Sequence, residues 1–312
     1  MPDSGDWVVI LNWNGREDTL ACVASVLASG GCPTLLVVDN GSGDGILDEV
    51  KVRHPGVRVL QTGSNLGYAG GNNAGLCVAL EAGAATVCIL NNDTLATPGF
   101  LEPLTRQARA ESVAVSPLIS YVGSDDGWWF AGGCLDRVTG IPRHLAKEEL
   151  LPDVTTRTSN SEILTGCCLV ASRSTWQTVG LFDEDFFLIF EDAEWSVRAS
   201  SVGVELRVVG ASVIEHRVSR SFVGAANLLG SYYYSRNGLL FADKTGASRR
   251  VFLWHHVLLP SLRDVRRRRQ LDALPLRWAG VRGYVTGERG RAPAHLGKGR
   301  LARAGRDDAS SS

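Results

Sequence analysis

Two clusters contain acidic and amide residues that could do chemistry, and the first of them directly follows an apolar run. Residues 85–90 are mostly apolar and lead into Asn91, Asn92 and Asp93. This ending predicts a buried parallel strand whose carboxyl-terminal tip carries oxygen ligands, and such tips are where open α/β sheets bind ligands. Carboxylate and amide oxygens suit Mg²⁺ or Mn²⁺. An isolated Asn-Asn-Asp is often only a turn, so its position behind the strand is what favours a metal site.

The second acidic cluster, Glu191-Asp192-Ala193-Glu194, follows Phe190 and precedes Trp195. Aromatic neighbours exclude water and can raise the pKa of a carboxyl group toward that of a useful general base. The alternative is a helix that begins with acidic residues because they favour its N-terminal dipole. His216 could complete a metal site, although a lone histidine is more often structural. A metal on a diphosphate together with a separate carboxylate base is the chemistry of sugar transfer from a nucleotide.

Asp39 and a glycine-rich segment add candidate contacts for a nucleotide. Asp39 follows a short apolar run, where its carboxylate could accept hydrogen bonds from a base or a ribose. The alternative is that Asp39 merely caps the turn. Residues 65–75 form a glycine-rich entry to a helix, an arrangement that brings backbone N–H groups close to phosphate. The spacing of these glycines is not G-x-G-x-x-G, so the segment does not predict a dinucleotide-binding fold.

The first part of the chain predicts a sheet edge that would bring these residues together. Short apolar runs at residues 7–11, 35–38, 57–60 and 87–90 alternate with helical patterns, the clearest at 69–82. Strands that alternate with helices indicate an α/β fold with a mainly parallel sheet flanked by helices. Right-handed crossovers place the strand tips at one edge. We therefore expect the side chains of four tip residues to line a polar crevice: Asn12, Asp39, Asn65 and Asp93.

Beyond Val113 the pattern is less regular, with a loop-like stretch at residues 123–140 that is rich in aromatic residues and glycine. Helical pattern dominates from Ala225 to about Gly287. The predicted organisation is a catalytic domain at 1–224 (nucleotide-sugar half about 1–118, acceptor half about 119–224), a helical region at 225–290 and a disordered tail at 291–312.

Composition and charge describe an ordinary folded domain. With 312 residues, of which 44% are hydrophobic, the chain can hold one large α/β domain or two small ones. A net charge of −1 argues against a nucleic-acid partner. Seven cysteines without a C-x-x-C pair predict neither a disulfide framework nor a zinc site, and fit a reduced setting. With no signal-peptide pattern and no apolar run of the ~18 residues that a membrane span needs, we expect a cytoplasmic protein.

Six motifs occur in order along the chain, and together they resemble a known family. The motifs are Val9–Gly15, Val38–Ser42, Asn65–Gly75, Leu90–Thr94, Thr165–Cys167 and Gly180–Arg198. The set resembles the family 2 glycosyltransferases of GT-A fold, in particular the rhamnosyltransferase-like branch. The resemblance covers roughly residues 7–240, and the ordered set is far more specific than any single motif.

The resemblance implies a role for each site residue. Asp192 corresponds to the catalytic base, with Glu191 beside it. Asp93 would hold Mg²⁺ or Mn²⁺ on the diphosphate, with His216 as a further ligand. The expected nucleotide-sugar contacts are Asn12, Asn14, Asp39 (on the base), Asn40, Asn65, Gly70, Gly71, Asn72, Asn92 and Arg236, the last from a helix that resembles the family's Arg-Asn helix and faces the phosphates or the acceptor. The expected acceptor contacts are Trp128, Trp129, Gly132, Gly133, Thr165 and Gly166.

The reaction that the resemblance implies is an inverting, metal-dependent hexosyl transfer. It favours dTDP-L-rhamnose as donor, with UDP-hexoses and other deoxysugar nucleotides behind it. The acceptor stays open among a lipid-linked glycan, a polysaccharide end and a natural product. The family's usual D-x-D is N-x-D here, so only Asp93 supplies a carboxylate and the site is less negative.

Two other classes of protein are alternatives to the transferase. A non-catalytic sugar-nucleotide-binding protein would lose the acids, so the presence of Asp93 and Asp192 argues against it. A nucleotidyltransferase should carry a glycine-rich phosphate loop after its first strand, and Asn12-Trp13-Asn14-Gly15 does not look like one.

Arginines crowd the C-terminal part of the chain. Arg263 and residues 266–269 follow the apolar segment 251–262, and apolar residues continue at helical spacing from Leu274 to Tyr284. Such a basic amphipathic segment can lie on an anionic membrane surface. The alternative is a helical pair that packs on the catalytic domain or on a second subunit of a homodimer, and both stay open.

Overall fold

A computed structural model describes residues 5–110, 113–123, 127–150, 152–217 and 225–296. The chain divides into two compact units, each of which is described by itself. The first unit comprises Met1–Leu135, Pro142–Glu184 and Glu191–Val218, and the second comprises Asp136–Ile141, Asp185–Phe190 and Ser219–Ser312. The predicted domain boundary at residue 224 and residues 297–312 of the predicted tail lie outside the described residues.

The first unit is built on one large sheet. Its strands, together with those of a small two-stranded sheet (β8 and β9), are β1 (Asp6–Asn12), β2 (Thr34–Asp39), β3 (Arg58–Gln61), β4 (Thr86–Asn91), β5 (Thr94–Ala96), β6 (Val113–Tyr121), β7 (Trp128–Phe130), β8 (Gly133–Leu135), β9 (Pro142–His144), β10 (Thr158–Asn160), β11 (Cys168–Ser172) and β12 (Glu205–His216). The order in the large sheet is β10-β12-β6-β11-β4-β1-β2-β3, with β5 paired to β12 and β7 to β6. The four apolar runs at the start of the chain all form strands, as predicted, and β1 to β4 pair in parallel.

Six helices accompany this sheet among the described residues. They are α1 (Arg16–Ala28), α2 (Ile46–Arg53), α3 (Gly67–Ala82), α4 (Leu101–Ala110), α5 (Arg173–Val179) and α6 (Glu191–Ser201). The α/β class is confirmed, and beyond β4 the sheet is mixed because β11 runs antiparallel between β4 and β6. An antiparallel strand begins at the edge where its parallel neighbour ends, so residues 165–167 lie beside the tip of β4. Asn91 N–H accordingly donates to Cys167 O at 2.9 Å.

The central strands supply much of the hydrophobic core of the first unit. Their side chains are apolar on both faces, as expected for strands covered by helices. Trp7, Ile10 and Leu36 are among the largest fully buried residues of this core. Helix α3 packs closely on this sheet because residue 75 is glycine: a Cβ there would collide with Val9 on β1. This packing sets the helix entry beside the tips of β1 and β2.

The second unit is helical. Its helices are α7 (Ala225–Thr245), α8 (Arg249–Phe252), a π-helical turn (Leu253–Leu258), α9 (Leu259–Arg267) and α10 (Ala273–Val285). Helix α10 packs against α7, where a Cβ on Gly280 would collide with Tyr232 O. Leu276 joins Tyr232 and Tyr233 in the small core between these two helices. Within the described residues, no helix has both the length and the apolar character that crossing a membrane requires.

Candidate functional site

The tips of β1 and β2 form a hydrogen-bonded polar cluster around Asp39. Asn12 Nδ2 donates to Asp39 Oδ1 at 3.2 Å and to Ser42 Oγ at 3.0 Å. Gln61 Nε2 donates to Asp39 Oδ2 at 2.6 Å from the neighbouring tip of β3. Asn14 has a left-handed backbone (φ 52°) and accepts from Gly43 N–H through Oδ1 at 3.2 Å. The structure thus brings Asn12, Asn14 and Asp39 together at the predicted edge.

Asn40 connects this cluster to the glycine-rich entry of α3. Its Nδ2 donates to Gly67 O at 2.9 Å and to Asn65 Oδ1 at 3.3 Å, while its Oδ1 accepts from Leu66 N–H at 2.9 Å. The loop before α3 is therefore fixed to the tip of β2 by one buried amide. Asn65, predicted from the motif, lies beside Asn40 as expected for a shared edge.

Gly70, Gly71 and Asn72 are all buried on α3. A Cβ on Gly71 would collide with Leu11, and one on Gly70 would collide with Leu66. Close packing therefore accounts for both glycines without a phosphate. Asn72 Nδ2 donates to Tyr68 O at 3.0 Å, and its buried Oδ1 has no hydrogen-bond partner in the part of the chain that the structure describes.

Asp93 and His216 meet at the end of β4. The antiparallel pairing of β12 with β5 sets His216 opposite Thr94, and His216 Nε2 lies 3.2 Å from Asp93 Oδ1. Both residues are buried. The preceding residue, Asn92, turns toward α1 and donates to Thr19 Oγ1 at 2.9 Å. Trp129 packs its ring edge-on against His216, with ring centroids 4.4 Å apart.

Asp93 and His216 are the residues here that could hold a divalent cation. Mg²⁺ and Mn²⁺ commonly take one or two protein ligands and complete their coordination with phosphate oxygens and water. The described residues contain no group of three or more His, Cys, Asp or Glu side chains arranged to hold a metal. A carboxylate and an imidazole fit a cation that the substrate's own diphosphate helps to bind, rather than a cage made of protein alone.

Asp192 is held at the start of α6 by two backbone donors. Gly166 N–H donates to Oδ2 at 2.8 Å, and Ala193 N–H donates to Oδ1 at 2.8 Å. Gly166 belongs to the turn whose next residue, Cys167, accepts from Asn91 on β4. One short turn therefore connects the strand that leads to Asp93 with the carboxylate of Asp192. The structure brings the two predicted acids to the same edge through residues 165–167.

In the pair Glu191–Asp192, Glu191 is buried and Asp192 is half-buried. Burial raises the pKa of Asp192 above its ordinary value, while the Gly166 and Ala193 N–H groups and His144 pull it down. Burial, and then the charge of Asp192, raise the pKa of Glu191 to about 8. Oε2 of Glu191 is buried with no hydrogen-bond partner among the described residues. Because the charge of Asp192 disfavours ionisation of Glu191, one of the two retains its proton while the other ionises, and the two donated bonds favour Asp192 as the anion.

Two residues that sequence reasoning missed touch this region. Tyr68 Oη donates to Gly166 O at 2.5 Å, so it fixes the turn that holds Asp192. His144 Nδ1 lies 2.8 Å from Trp129 O, and the His144 and Trp129 rings pack edge-on with centroids 4.8 Å apart. Tyr68 stands inside the glycine-rich motif and could have been found there. His144 lies in the irregular stretch, where no motif marks it.

The other predicted acceptor residues differ in their exposure to solvent. Trp128 is partly exposed on β7, and Thr165 is buried in the turn before Gly166. Gly132 and Gly133 are buried: a Cβ on Gly132 would collide with Leu145, and one on Gly133 would crowd Ile163. Close packing of the β8 region accounts for these two glycines.

Arg236 lies in the second unit, fully buried. Its guanidinium donates to backbone carbonyls of Asp185, Phe186 and Gly290 and to Asn237 Oδ1, at 2.7 to 3.1 Å. Each of its three side-chain nitrogens is engaged by protein. This placement gives no support to the expectation that Arg236 faces the phosphates or the acceptor.

Comparison with known sequences places this site in a family context. Residues 7–171 match the model of the family described as glycosyl transferase family 2. The N-acetylglucosaminyl-diphospho-decaprenol L-rhamnosyltransferase of Mycobacterium tuberculosis is 28% identical, over 76% of this chain and 87% of the relative. A dTDP-rhamnosyl transferase of Shigella flexneri is 21% identical, over 84% of this chain and 85% of the relative.

Solved structures share the fold. GalNAc-T7 with UDP, GalNAc and Mn²⁺ superposes with a TM-score of 0.57 at 17% identity, covering 86% of this chain. This chain spans 58% of the length of that protein. A mannosyltransferase from Pyrobaculum calidifontis with GDP-Man and Mn²⁺ has a TM-score of 0.52 at 17% identity, covering 97% of this chain and 80% of the other. At this identity the likeness establishes the GT-A fold.

Proposed function

This chain belongs to glycosyl transferase family 2, and we propose that it transfers a deoxysugar, L-rhamnose first among them, from a dTDP-sugar to an acceptor hydroxyl. The observation that carries the proposal is the turn at residues 165–167. It is hydrogen-bonded to β4 just before Asp93 and also to Asp192, so it couples a diphosphate site to a carboxylate base. The relatives named for rhamnosyl transfer support the choice of sugar.

The donor is proposed to bind along the strand-tip edge. Asp39 would accept hydrogen bonds from the nucleotide base in place of Asn12 and Gln61, which occupy its two oxygens. Asn40 holds the α3 entry in position beside it. Asp93 and His216 would hold Mg²⁺ or Mn²⁺ beside the diphosphate; when bound, such an ion neutralises the charge of the leaving group.

Asp192 is proposed to remove the proton of the acceptor hydroxyl as that oxygen attacks the anomeric carbon. The bond from this carbon to the diphosphate oxygen breaks in the same step, and nucleoside diphosphate leaves. A single displacement from the opposite face inverts the anomeric centre and needs no covalent nucleophile. Glu191, protonated near neutral pH because of its raised pKa, leaves the negative charge on Asp192.

The acceptor is proposed to be a lipid-linked glycan, which would require the enzyme to work at the inner face of a membrane. Trp254, Leu262 and Val265 are 51%, 61% and 57% exposed on the segment formed by the π-helical turn and α9. Residues 249–269 contain seven arginines and one acidic residue, Asp264. Apolar side chains among arginines suit an anionic lipid surface, where each arginine contributes about 1 kcal/mol.

Vesicle sedimentation tests the membrane proposal. We expect the protein to sediment with vesicles rich in anionic lipid at low salt, to be released by high salt, and to ignore purely zwitterionic vesicles. Replacing Arg266–Arg269 by serine should abolish sedimentation. Absence of binding at low salt, together with a dimeric protein in analytical ultracentrifugation, would assign this surface to a second copy instead.

A panel of nucleotide sugars tests which donor is used, with water taking the place of the acceptor hydroxyl. Each donor is incubated with Mn²⁺ and the protein, and the release of nucleoside diphosphate is measured beside thermal stabilisation. We expect dTDP-L-rhamnose to be turned over faster than UDP-hexoses. Release of pyrophosphate would identify a nucleotidyltransferase, whereas stabilisation by donors without turnover of any of them would identify a binding protein.

A further inference from the structure

The six residues that precede Glu191 have an unusual backbone. Phe187, Ile189 and Phe190 have φ values of 62°, 72° and 80°. The left-handed region is uncommon for residues other than glycine and is a genuine outlier for a β-branched residue such as Ile189. Such conformations persist only where surrounding structure enforces them, and they concentrate at functional sites.

Helix α7 supplies the groups that enforce this backbone. Asn237 Nδ2 donates to the carbonyl oxygens of Phe186, Leu188 and Ile189 at 2.7, 2.7 and 3.0 Å. Arg236 Nη2 donates to those of Asp185 and Phe186 at 3.1 Å. Four of the six carbonyls in this segment therefore bind two adjacent side chains, both of them fully buried.

The side chains on both sides of the contact support the same arrangement. The ring of Phe187 stacks on that of Tyr233, with centroids 5.4 Å apart, and Phe190 packs against Tyr234 at 5.4 Å. The guanidinium carbon of Arg236 lies 5.2 Å from the centre of the Tyr233 ring. Aromatic faces and carbonyl oxygens around a buried guanidinium offset the loss of its hydration.

The chain leads directly from this segment into helix α6, which carries the proposed base. Glu184 belongs to the first unit, Asp185–Phe190 belong to the second, and Glu191 returns to the first. The next residue after Glu191 is Asp192, in the opening turn of α6. Two peptide bonds therefore separate Phe190, the last residue of the segment that α7 holds, from the residue that we assign as the base.

We propose that Arg236 and Asn237 are positioning residues, which hold the segment Asp185–Phe190 with its three left-handed residues and thereby fix the start of α6 for catalysis. This inference rests on the proposed role of Asp192 as the base. It assigns the Arg-Asn pair to the conformation of the catalytic helix entry rather than to the nucleotide or the acceptor.

We call the contact of Arg236 and Asn237 with Asp185–Phe190 the clamp. Amide hydrogen exchange tests it without any substrate. Asn237→Ala should raise amide exchange in peptides covering residues 186–194, and Arg236→Lys should do the same. Arg277→Lys is the matched control, because Arg277 is a buried arginine of the same unit that binds Ser261 and Asp264 instead. Unchanged exchange at 186–194 in both clamp variants, or an equal rise in the control, would overturn the proposal.

Kinetics then separate positioning from general support of the fold. Asn237→Ala should lower kcat by up to about 10²-fold, the effect of a small misplacement of a catalytic group, while the KM of the donor stays within about twofold. The acid limb of its pH–rate profile should shift, because the surroundings of Asp192 change. Arg277→Lys should leave kcat and the profile as in the parent protein. A rise in donor KM with unchanged kcat would contradict the positioning role.

A second-site change makes the test specific to backbone strain. Glycine adopts φ near 72° without steric cost, so Ile189→Gly should restore kcat at least about tenfold in the Asn237→Ala protein. Additive losses in the double variant would contradict the proposal. If the parent protein turns over no nucleotide sugar, the proposed function fails, and the exchange experiment still decides whether the clamp exists.

Discussion

The proposed donor edge (Asn12, Asp39, Asn40 and Asp93) and the acid pair (Glu191 and Asp192) differ in the groups that hold their carboxylates. On the donor edge every carboxylate has a side-chain partner: Asn12 and Gln61 for Asp39, and His216 for Asp93. In the acid pair the partners of Asp192 are backbone N–H groups, and one oxygen of Glu191 is buried with no hydrogen-bond partner among the described residues. The two regions therefore differ in their partners: side chains hold the carboxylates of the donor edge, whereas in the acid pair burial raises the pKa of both carboxyl groups.

The largest expected effect is that of Asp93→Ala, a substitution that tests the proposed metal site separately from the proposed base. Asp93→Ala should lower turnover by about 10² or more and abolish its response to Mn²⁺, because the diphosphate loses its protein-held cation. Affinity should fall more for the nucleoside diphosphate than for the free nucleoside. His216→Ala serves as the comparison: a retained metal response there would leave Asp93 alone as ligand. Full activity in excess EDTA would contradict a metal-dependent mechanism.

The next effect is on stability and belongs to the acid pair alone. The pKa of Glu191 is raised from 4.5 to about 8, so the folded protein binds an extra proton between these values. The free energy of unfolding should therefore fall as pH rises from about 5 to 8. In Glu191→Gln this fall should shrink by at least about 1.4 kcal/mol, the equivalent of one pKa unit. Urea titrations at both pH values measure it, and an identical pH dependence in both proteins would refute the assignment.

The smallest effect is that of Tyr68, which touches the acid pair only through the turn. Tyr68→Phe removes the hydrogen bond to Gly166 O and should lower turnover about fivefold, since a bond of this kind is worth about 1 kcal/mol. Donor affinity should stay unchanged because Asp39 and Asn40 keep their partners. A weakened donor affinity with normal turnover would place Tyr68 on the donor edge instead.

The shared position of Asn12, Asp39 and Asp93 at one edge of the sheet could be predicted from sequence because strand tips obey local rules. Asn12, Asp39 and Asp93 each follow an apolar run, and parallel pairing brings such residues together without knowledge of distant contacts. The position of Asp192 could be tied to Asp93 only through a family resemblance. Its real connection passes through the antiparallel strand β11, whose orientation no periodicity in residues 163–171 reveals.

The contacts of Arg236 and His144 could not be predicted from the sequence. The resemblance implies that Arg236 faces the phosphates or the acceptor. In the structure its guanidinium donates to the backbone carbonyls of Asp185 and Phe186, which are distant from it in sequence. His144 is brought to Trp129 by the short pairing of β8 with β9 in an irregular stretch. The resemblance implies substrate contacts at Gly70, Gly71, Gly132 and Gly133, and close packing also explains a glycine at each of these positions.

The most direct test of the account is to measure donor affinity and turnover together in Asp192→Asn and Asp39→Asn. We expect Asp192→Asn to bind dTDP-L-rhamnose as the parent protein does and to lose about 10² or more in turnover, the scale of a lost general base. Asp39→Asn should instead weaken donor binding with a smaller loss of turnover at saturation. Near-normal transfer by Asp192→Asn would contradict the assignment of this residue as the base.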